Sequence, residues 1–397
     1  MPGPTDKHER AGRFPIGAGV AIEDLEDPHA LLAELREHEP VSWLPALGAW
    51  LVTRRDLALR VMRDSATFTV DDPRFSTGRV VGPSMLTLDG AEHKRHRAPF
   101  SRPFRLAAVH ERFTEPVAVE ADRLIDAIEP GGGAELRRAY AGPLAAAVVT
   151  RALGLKDADA SAVLRWYEAI VAAVTEVTAG GSVSDAGRLA FADLRAAIEP
   201  ALDREPRSSL LAAAASDAGG LDRAEVVSNA AVLLFGGIET TEGMIANAVF
   251  DLLANPAELA LVKADPGARL ANAVEESLRL EPAAAMVDRY ATVDVSLGGA
   301  SIRARELVTV SVTGANRDPA VFPDPDRFDV RRENARNHVA FAHGPHVCIG
   351  MHLARLEAHA GVGRLLARLP GLRLDPRHAA AVRGLVFRKP PALRVVW

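Results

Sequence analysis

The chain has 397 residues, of which 48% are apolar and 25% are charged, as expected for a folded globular protein and not for a fibrous or disordered one. Its 47 lysines and arginines stand against 52 aspartates and glutamates, and the net charge of −5 disfavours nucleic-acid binding over the whole surface. The single cysteine excludes an intrachain disulfide, so the fold does not need an oxidising compartment.

The sequence shows no sign of export or of membrane insertion. Its first residues, MPGPTDKHERAGRF, lack the apolar segment of a signal peptide. No stretch approaches the roughly 18 apolar residues that a membrane-spanning helix requires. We therefore expect a cytoplasmic protein that makes no contact with a membrane.

Helices dominate the predicted secondary structure. Residues 41–64 indicate two short strands followed by a helix. Alanine-rich stretches separated by glycine and proline clusters predict further helices at 106–129, 138–154, 158–178 and 185–204. The sequence contains no repeat, low-complexity tail or obvious interdomain linker. We therefore predict a mainly α-helical protein with a small β portion, folded as a single domain over residues 1–397.

A long helix is predicted between residues 221 and 256. Asp222 and Glu225 have the spacing of a capping box at its start. Its centre holds Gly236 and Gly237, each of which costs a helix about 1 kcal/mol relative to alanine. The threonines that follow can hydrogen-bond back to the preceding turn. This combination indicates either a kink where a ligand approaches the backbone or a packing notch between crossed helices.

The β portion is predicted after the long helix. Val293, Val295 and Leu297 alternate with polar residues before a Gly-Gly turn, which predicts a hairpin. The segment LVTVSV at 307–312 predicts another strand. Residues 316–330 are too rich in proline and aspartate for regular structure, and we expect an ordered meander there.

The cysteine, Cys348, lies at the start of a predicted amphipathic helix. Apolar residues recur at helical spacing from Ile349 to Leu366, with charges on the other side. A thiol at a helix N-terminus meets the positive end of the helix dipole, which favours the thiolate. Gly344 and Gly350 on either side would let a flat ligand approach the backbone. Such a thiolate suits haem iron, and a buried cysteine that only packs is the alternative.

Three motifs in the right order resemble signatures of the cytochrome P450 family. Residues 341–350, FAHGPHVCIG, match the haem-binding pattern FxxGxxxCxG, and residues 236–241, GGIETT, match the oxygen-activating stretch. The third motif, E-x-x-R, is assigned to Glu276 and Arg279 because it lies after the oxygen motif and before the hairpin. The same spacing also occurs at Glu92/Arg95, Glu120/Arg123, Glu135/Arg138 and Glu333/Arg336. The resemblance covers residues 221–370 and extends back to about residue 85.

The resemblance implies the cytochrome P450 fold, with the long central helix over a haem b whose iron is bound by the Cys348 thiolate. Basic side chains at matching positions would hydrogen-bond the haem propionates, because an arginine fork binds carboxylates bidentately. They are His93, Arg97, Arg289 and His346. Solvated surface cations are the alternative for these four. The remaining implied haem-binding residues are Gly236, Phe341 and Gly350.

The resemblance also assigns the catalytic and structural pairs. Thr240 would place its hydroxyl on the distal side of the haem and relay protons for dioxygen activation, and Glu239 would connect this relay to solvent. Many relatives carry aspartate at the position of Glu239. Glu276 and Arg279 are expected to form a buried ion pair close to the meander, with a role in folding and haem retention only.

The substrate pocket is placed by position along the chain. It should involve the loop around Asp72–Leu86, the long helix, residues Ala285–Val287 and the turn near Leu385–Val386. The small side chains of Ala283–Ala285 suggest a roomy site. The proposed lining residues are Met85, Leu86, Val232, Phe235, Ala285, Met286, Val287 and Val386. Two local departures from the family pattern lie outside the ligand positions: Ala342 stands where glycine is common, and IRARE at 302–306 replaces a glycine-bearing turn.

A basic run at residues 93–105 has three interpretations. It contains Lys94, Arg95, Arg97, Arg102 and Arg105. A nucleic-acid site lacks support from aromatic residues or a recognised binding module, and a solvated face is the simplest alternative. The resemblance favours a docking patch for an acidic ferredoxin. No flavin or iron–sulfur domain is evident in the chain, so we expect electrons from a separate ferredoxin and ferredoxin reductase, with this chain a monomer.

The function implied is that of a monooxygenase. It would insert one oxygen atom of O₂ into a small organic substrate, by hydroxylation or epoxidation, in specialised metabolism. One alternative is oxidative ring coupling or dehydrogenation that leaves no oxygen in the product. A non-catalytic haem or redox sensor is the other, and the Glu239–Thr240 pair disfavours it because a sensor needs no proton relay.

Overall fold

The computed structural model describes residue 10 and residues 12–155, 160–178, 181–203, 210–216 and 220–397. The predicted mainly α-helical class with small sheets is confirmed. The chain falls into two compact units. The first unit comprises the described residues up to Thr69, then Ala246–Cys348 and Leu374–Leu393; the second comprises those in Val70–Ile245, Ile349–Arg373 and Arg394–Trp397. A single domain over residues 1–397 stays a prediction.

The first unit is built on a five-stranded sheet. Val41–Leu44 pairs antiparallel with Ala49–Val52, which runs parallel to Leu307–Ser311. Leu307–Ser311 pairs antiparallel with Met286–Ala291, and the short strand Phe68–Thr69 closes the order. The helices of this unit are Pro15–Ala18, His29–His38, Arg55–Arg63, Pro256–Ala264, Pro266–Leu280 and Val312–Asn316. The predicted strands and helix within residues 41–64 are therefore confirmed.

The sheet carries an apolar core and a separate hairpin. Trp50 packs edge-on against Phe14 and Trp43, with ring centroids 5.2 and 5.5 Å apart. The predicted hairpin is confirmed as Val295–Leu297 paired with Ala300–Ile302. It begins two residues later than predicted, since Val293 lies outside the strand and is exposed.

The Glu276–Arg279 pair is buried where the meander crosses the helix Pro266–Leu280. Both side chains are 0% exposed, and two guanidinium nitrogens of Arg279 donate to the Glu276 carboxylate over 2.7 and 2.8 Å. Arg279 also donates to the carbonyl oxygens of Asn316, Pro325 and Arg327. These bonds explain how a proline-rich stretch without helix or strand keeps a fixed path.

The same E-x-x-R spacing produces exposed ion pairs elsewhere in the chain. Arg95 and Arg123 each donate to the glutamate three residues earlier, Glu92 and Glu120, over distances of 2.6–3.0 Å. These pairs are solvent-accessible, whereas Glu276 and Arg279 are not. Burial therefore distinguishes the structural pair Glu276–Arg279 from the surface pairs, whereas the E-x-x-R spacing is the same in all of them.

Asp251 is a buried acid near the end of the long helix, in the first unit. It accepts a hydrogen bond of 2.7 Å from the Ser277 hydroxyl. Burial first, and then the charges of Glu281 and Glu276, raise the pKa of Asp251 to about 8, against the opposing effects of Ser277 and Arg317. The folded protein therefore holds a proton that the unfolded chain releases near pH 3.8.

We expect Asp251→Asn to flatten the dependence of stability on pH. In the wild type this group stabilises the fold fully below pH 3.8 and loses that contribution as the pH rises toward 8. Stability falls as the pH rises over this range, because the folded state there binds one proton more than the unfolded state. Urea unfolding at pH 5 to 8 measures the slope, with Asp193→Asn on an exposed helix surface as the matched control. An unchanged slope in Asp251→Asn would contradict the expectation.

The second unit is mainly helical. Its helices are Ser76–Val81, Gly90–Ser101, Leu106–Ile128, Gly142–Leu153, Ala160–Thr178, Asp185–Leu202, Leu210–Ser216 and Met351–Arg368. The last of these is named the cysteine helix, and Arg364 and Arg368 anchor it by ion pairs to Asp122 and Asp126 on Leu106–Ile128. Gly133–Glu135 pairs antiparallel with Arg394–Val396. The short strand Arg373–Leu374 completes that sheet.

The predicted alanine-rich helices are present with shifted ends. The helix predicted from residue 138 begins with a π-helical turn, Arg137–Ala141, before Gly142–Leu153. Residues 158, 159 and 204 of the predicted helices lie outside the described residues. The stretch Asp72–Leu86, expected as a loop, contains the helix Ser76–Val81, because Thr77 and Val81 are buried one turn apart and Gly82 ends the helix with φ 84°.

The long helix runs over 32 residues, Arg223–Ala254, close to the predicted span. The predicted capping box is confirmed: the Glu225 amide donates to the Asp222 carboxylate over 2.8 Å, and the Asp222 amide donates to Glu225 over 2.9 Å. Within the described part of the chain, no single helix has the length and apolar character to cross a membrane. One pair, the long helix with Pro256–Ala264, meets the length and composition requirement but is bent by 104°.

Candidate functional site

The loop that carries Cys348 is held in the first unit by backbone contacts. The Cys348 amide donates to the Phe341 carbonyl over 2.8 Å, and the thiol itself is exposed. Gly344 has φ 73°, and a Cβ on it would lie 2.5 Å from the Met62 carbonyl oxygen. Gly344 is therefore glycine because the loop packs against the helix Arg55–Arg63, which corrects the expectation that it clears space for a ligand.

Both departures from the family pattern fall at left-handed backbone positions. Ala342 has φ 55°, and Arg305 of the IRARE stretch has φ 70°. A left-handed conformation costs a residue with a Cβ roughly 1–2 kcal/mol. A glycine would adopt either conformation without this cost, so the alanine at 342 and the arginine at 305 add strain to the backbone at these two positions.

The adjacent glycines of the long helix have different surroundings in the second unit. A Cβ on Gly237 would lie 2.9 Å from Cγ2 of Val149, so this glycine is a packing notch. A Cβ on Gly236 would meet no atom of the described residues within 4 Å. The helix continues through both, and Thr240 donates to the Gly236 carbonyl over 2.7 Å, the back-bond that the sequence predicts. Gly237 therefore fits the packing-notch alternative. The approach of a ligand at Gly236 stays a prediction.

The acid–threonine pair occupies a mostly buried stretch of the long helix. Glu239 is buried and Thr240 is half-buried. Three residues after Glu239, a second buried carboxylate, Glu242, accepts a hydrogen bond of 2.8 Å from Nε of Arg137. Sequence reasoning missed Glu242 and Arg137. The i, i+3 spacing of the two glutamates was the available signal, but their distant partner was not visible in the sequence.

The predicted propionate-binding residues are found in both units. On the helix Gly90–Ser101 of the second unit, His93 is buried and Arg97 is half-buried. In the first unit, Arg289 is buried in its strand, where Nη1 donates to the Asp288 carbonyl, and His346 is half-buried two residues before Cys348. Binding of haem by these four side chains stays a prediction.

The basic run at 93–105 is not a uniform free patch. Two guanidinium nitrogens of Arg95 donate to the carboxylate of Glu225, and this pair raises the pKa of Arg95. Lys94, Arg102 and Arg105 are exposed. Arg95 is thus engaged in an ion pair with Glu225 within the second unit. Fewer cations of this run are exposed than the sequence indicates.

The predicted pocket residues form local groups. In the first unit the Ala285 amide donates to the Val386 carbonyl over 2.8 Å; Met286 is buried and Val287 half-buried beside it, and Val386 is 38% exposed. In the second unit the Met85 amide donates to the Asn229 side chain over 2.8 Å. Leu86, Val232 and Phe235 are half-buried. That these eight residues line a substrate pocket stays a prediction.

The chemistry of this residue set fits a thiolate-ligated haem. Cys348 offers an exposed thiol, the kind of axial donor that such a haem requires. Among the described residues no atom lies within 4 Å of a Cβ built on Gly236 or Gly350, so a flat group could approach either backbone position. No cluster of three or more His, Cys, Asp and Glu side chains suited to a metal ion occurs in the described ranges.

Comparison with known proteins gives long matches. The family model described as Cytochrome P450 matches residues 269–372. Nocardicin C N-oxygenase of Nocardia uniformis subsp. tsuyamanensis is 35% identical, covering 97% of this chain and 98% of that protein. Mycinamicin IV hydroxylase/epoxidase of Micromonospora griseorubida is 36% identical, covering 92% and 94%. The solved structure of CxnD, a cytochrome P450 for C–S bond formation in chuangxinmycin biosynthesis, is similar with a TM-score of 0.84 at 29% identity, covering 95% and 96%.

Proposed function

The chain belongs to the cytochrome P450 family, and on that basis we propose that it is a haem-thiolate monooxygenase that transfers one oxygen atom of O₂ to a small organic substrate. The reaction would be a hydroxylation or an epoxidation in specialised metabolism. The observation that carries this proposal is the exposed thiol of Cys348 in the segment FAHGPHVCIG. The names of the two curated relatives, an N-oxygenase and a hydroxylase/epoxidase, support oxygen transfer.

Cys348 and four basic side chains would hold the haem. A haem with a thiolate ligand supplies the activation of dioxygen, since thiolate donation favours cleavage of the O–O bond. The Phe341 carbonyl fixes the backbone of the cysteine through its hydrogen bond to the Cys348 amide. Gly236 and Gly350 leave their backbone open to a flat group, and propionates would be bound by His93, Arg97, Arg289 and His346.

Glu239 and Thr240 would move protons to the reacting oxygen. The Thr240 hydroxyl holds its proton on the Gly236 carbonyl, and its oxygen keeps lone pairs that can accept a hydrogen bond. Glu239, one residue earlier and largely shielded from solvent, would exchange protons with water and with this hydroxyl. A carboxylic acid held in place in this way contributes to catalysis because it can deliver a proton where negative charge develops in the transition state.

Replacing Thr240 by alanine should uncouple reductant use from product formation. NADPH would still be consumed, but more hydrogen peroxide would form and the yield of product per NADPH would fall by about tenfold or more, because the hydroxyl that relays protons to the reacting oxygen is lost. Thr240→Ser, which keeps the hydroxyl, is the matched control. Equal product per NADPH in Thr240→Ala and the wild type would remove Thr240 from the relay.

Electrons for this reaction would come from a separate ferredoxin and its reductase. We place the docking face on the helix Gly90–Ser101 and the residues after it, where Lys94, Arg102 and Arg105 are exposed. Opposite charges across such a face speed association and make it sensitive to salt. Reduction rates that do not depend on ionic strength would argue for another face.

The mass of the product tests the reaction class. Purified protein, a ferredoxin, its reductase, NADPH and ¹⁸O₂ would be incubated with a panel of small natural-product precursors. Oxygen transfer predicts products heavier by one labelled oxygen atom. Products that carry no label and have lost two hydrogens would favour the oxidative coupling alternative, and no turnover of any compound would favour the sensor.

A second candidate, oxidative bond formation, is favoured by one comparison. The similar structure CxnD is named for C–S bond formation. In that reaction class two substrate groups lose hydrogen and join, so no oxygen enters the product. The labelled-oxygen experiment separates it from hydroxylation and epoxidation in a single measurement.

A further inference from the structure

Residues 383–389 of the first unit form a tight turn, named the late turn. The amides of Arg383 and Lys389 each donate to the carbonyl of the other, over 3.2 and 3.1 Å. Gly384 has φ 115°, and a Cβ on it would overlap the Phe387 carbonyl oxygen. At the tip of the turn the apolar side chain of Val386 is 38% exposed. The late turn therefore presents an apolar residue on a backbone that only glycine at 384 permits.

The late turn is joined by its backbone to the segment that precedes the strand Met286–Ala291. The Arg388 amide donates to the Ala283 carbonyl over 2.9 Å, and the Ala285 amide donates to the Val386 carbonyl over 2.8 Å. An antiparallel bridge lies between these two bonds. Two residues of the predicted substrate pocket, Ala285 and Val386, are therefore connected directly to each other.

The guanidinium of Arg388 holds the late turn in a second way. This side chain is 1% exposed, and its Nη1 donates to the Gly384 carbonyl, four residues earlier, over 3.0 Å. The same nitrogen donates to the Glu26 carbonyl over 3.0 Å. Nε lies 3.4 Å from the carboxylate of Glu281, which is 9% exposed. One buried cation therefore connects the late turn to two other segments of the first unit.

Glu281 is itself held by groups other than Arg388. Arg317 and His29 contact its carboxylate, each over 2.7 Å. The Asn247 side chain donates to the backbone carbonyls of Glu281 and Arg388, over 2.8 and 3.0 Å. Buried charges need such partners because burial removes their water. Replacing Arg388 would therefore leave Glu281 with a cation, while the late turn would lose its buried guanidinium.

We propose that Arg388 is a positioning residue for the substrate pocket: it fixes the late turn, and thereby the place of Val386 beside the substrate. The proposal rests on the proposed function, because the pocket is part of it. The side chains from Gly384 to Phe387 carry no charge, so the part of the substrate that meets the late turn should be apolar. Arg388 acts through Val386 and does not itself touch the substrate.

Arg383, at the base of the same turn, provides a matched control. Its guanidinium pairs with Asp27 over 2.9 Å, but the two side chains are 41% and 63% exposed, so solvent screens the pair. The bonds between Arg383 and Lys389 involve backbone atoms alone. Arg383→Met therefore removes a cation from the late turn and leaves the buried contacts of Arg388 in place.

Azoles of two sizes measure the position of the late turn in the haem-loaded protein. A nitrogen of imidazole or of clotrimazole binds ferric haem iron and shifts the Soret band, so a titration gives the Kd of each compound. Imidazole reports mainly on the iron, whereas clotrimazole adds three aromatic rings that fill the pocket. We expect Arg388→Met and Val386→Ala to weaken clotrimazole binding by about threefold or more, because an ordered contact is lost. The imidazole Kd should stay unchanged, and Arg383→Met should match the wild type for both azoles.

Two further readouts separate positioning from general support of the fold. Because Arg388 acts through Val386, adding Arg388→Met to Val386→Ala should change the clotrimazole Kd much less than Arg388→Met does in the wild type. Amide hydrogen exchange in Arg388→Met should become faster at residues 384–388, with the rest of the first unit unchanged. A merely structural arginine would speed exchange throughout that unit and weaken the binding of both azoles alike.

The role of Arg388 is overturned by equal clotrimazole Kd values in Arg388→Met and Arg383→Met, by additive effects in the double variant, or by an unchanged Kd in Val386→Ala. If Arg388→Met does not fold, Arg388→Lys is decisive. A lysine keeps the charge but has a single nitrogen, whereas Arg388 reaches Glu281 and the two carbonyls from different nitrogens. Weaker clotrimazole binding is still expected in Arg388→Lys, and an unchanged Kd rejects the role. Failure of the proposed function is distinct, because the wild type would then show no thiolate-type spectrum in its reduced CO complex.

Discussion

Replacing Arg279 by alanine is expected to lower the free energy of unfolding by about 3–5 kcal/mol, because it leaves the buried Glu276 carboxylate without its main cation. Both side chains are 0% exposed, so water cannot replace the lost bonds. A domain stability of about 5–15 kcal/mol makes this loss large enough to leave part of the protein unfolded at room temperature. The yield of folded protein and its urea-unfolding curve measure the effect.

The loss should reach the meander as well as the ion pair. Arg279 donates to three carbonyl oxygens at Asn316, Pro325 and Arg327, and Arg332 makes a further bond of 2.9 Å to Glu276. Without Arg279 these carbonyls lose a buried donor, so we expect faster amide hydrogen exchange along residues 316–330. Exchange confined to the helix Pro266–Leu280 would show that the meander is held by other contacts.

The matched control is Arg331→Ala. Arg331 is 51% exposed, and its contacts with Glu258 and Asp329 are long, at 4.0 and 3.5 Å, so its removal should cost only about 0–1 kcal/mol. A loss of stability in Arg279→Ala no greater than in this control would show that Arg332 and the backbone alone satisfy Glu276, and that Arg279 is not its main cation.

Features that depend on local sequence were predictable. The capping box of Asp222 and Glu225 and the back-bond of Thr240 involve residues three or four positions apart, and the structure has both. The turn residues Gly298 and Gly299 adopt φ of 54° and 85°, which explains why they end one hairpin strand. In these cases the interacting groups are neighbours in the chain, so the sequence contains the whole interaction.

Features that depend on distant residues were not predictable from the sequence. Glu242 accepts a hydrogen bond from the Arg137 guanidinium, 105 positions earlier in the chain, and Gly142 packs close to the Glu242 carboxyl group. From the sequence alone, Gly344 is interpreted as a residue that clears space for a ligand. The structure shows that a Cβ at this position would collide with the Met62 carbonyl oxygen. The helix Ser76–Val81 is too short, with a glycine inside it, to give a clear helical period.

Cys348→Ser is expected to abolish the thiolate character of the bound haem. The exposed thiol of Cys348 is the single cysteine sulfur that the chain can offer, and a serine hydroxyl does not donate electron density as a thiolate does. The Cys348 amide bond to Phe341 uses the backbone, so the loop should keep its conformation in the variant. Circular dichroism and the melting temperature check that the fold is intact.

The most direct measurement is the CO-difference spectrum of the dithionite-reduced protein, recorded for the wild type and for Cys348→Ser. A thiolate-type Soret band in the wild type that disappears in the folded variant is the result predicted for a haem held by Cys348. A folded wild type that binds no haem, or one whose CO complex has an imidazole-type band, would contradict the assignment of Cys348 as the ligand and the monooxygenase function built on it.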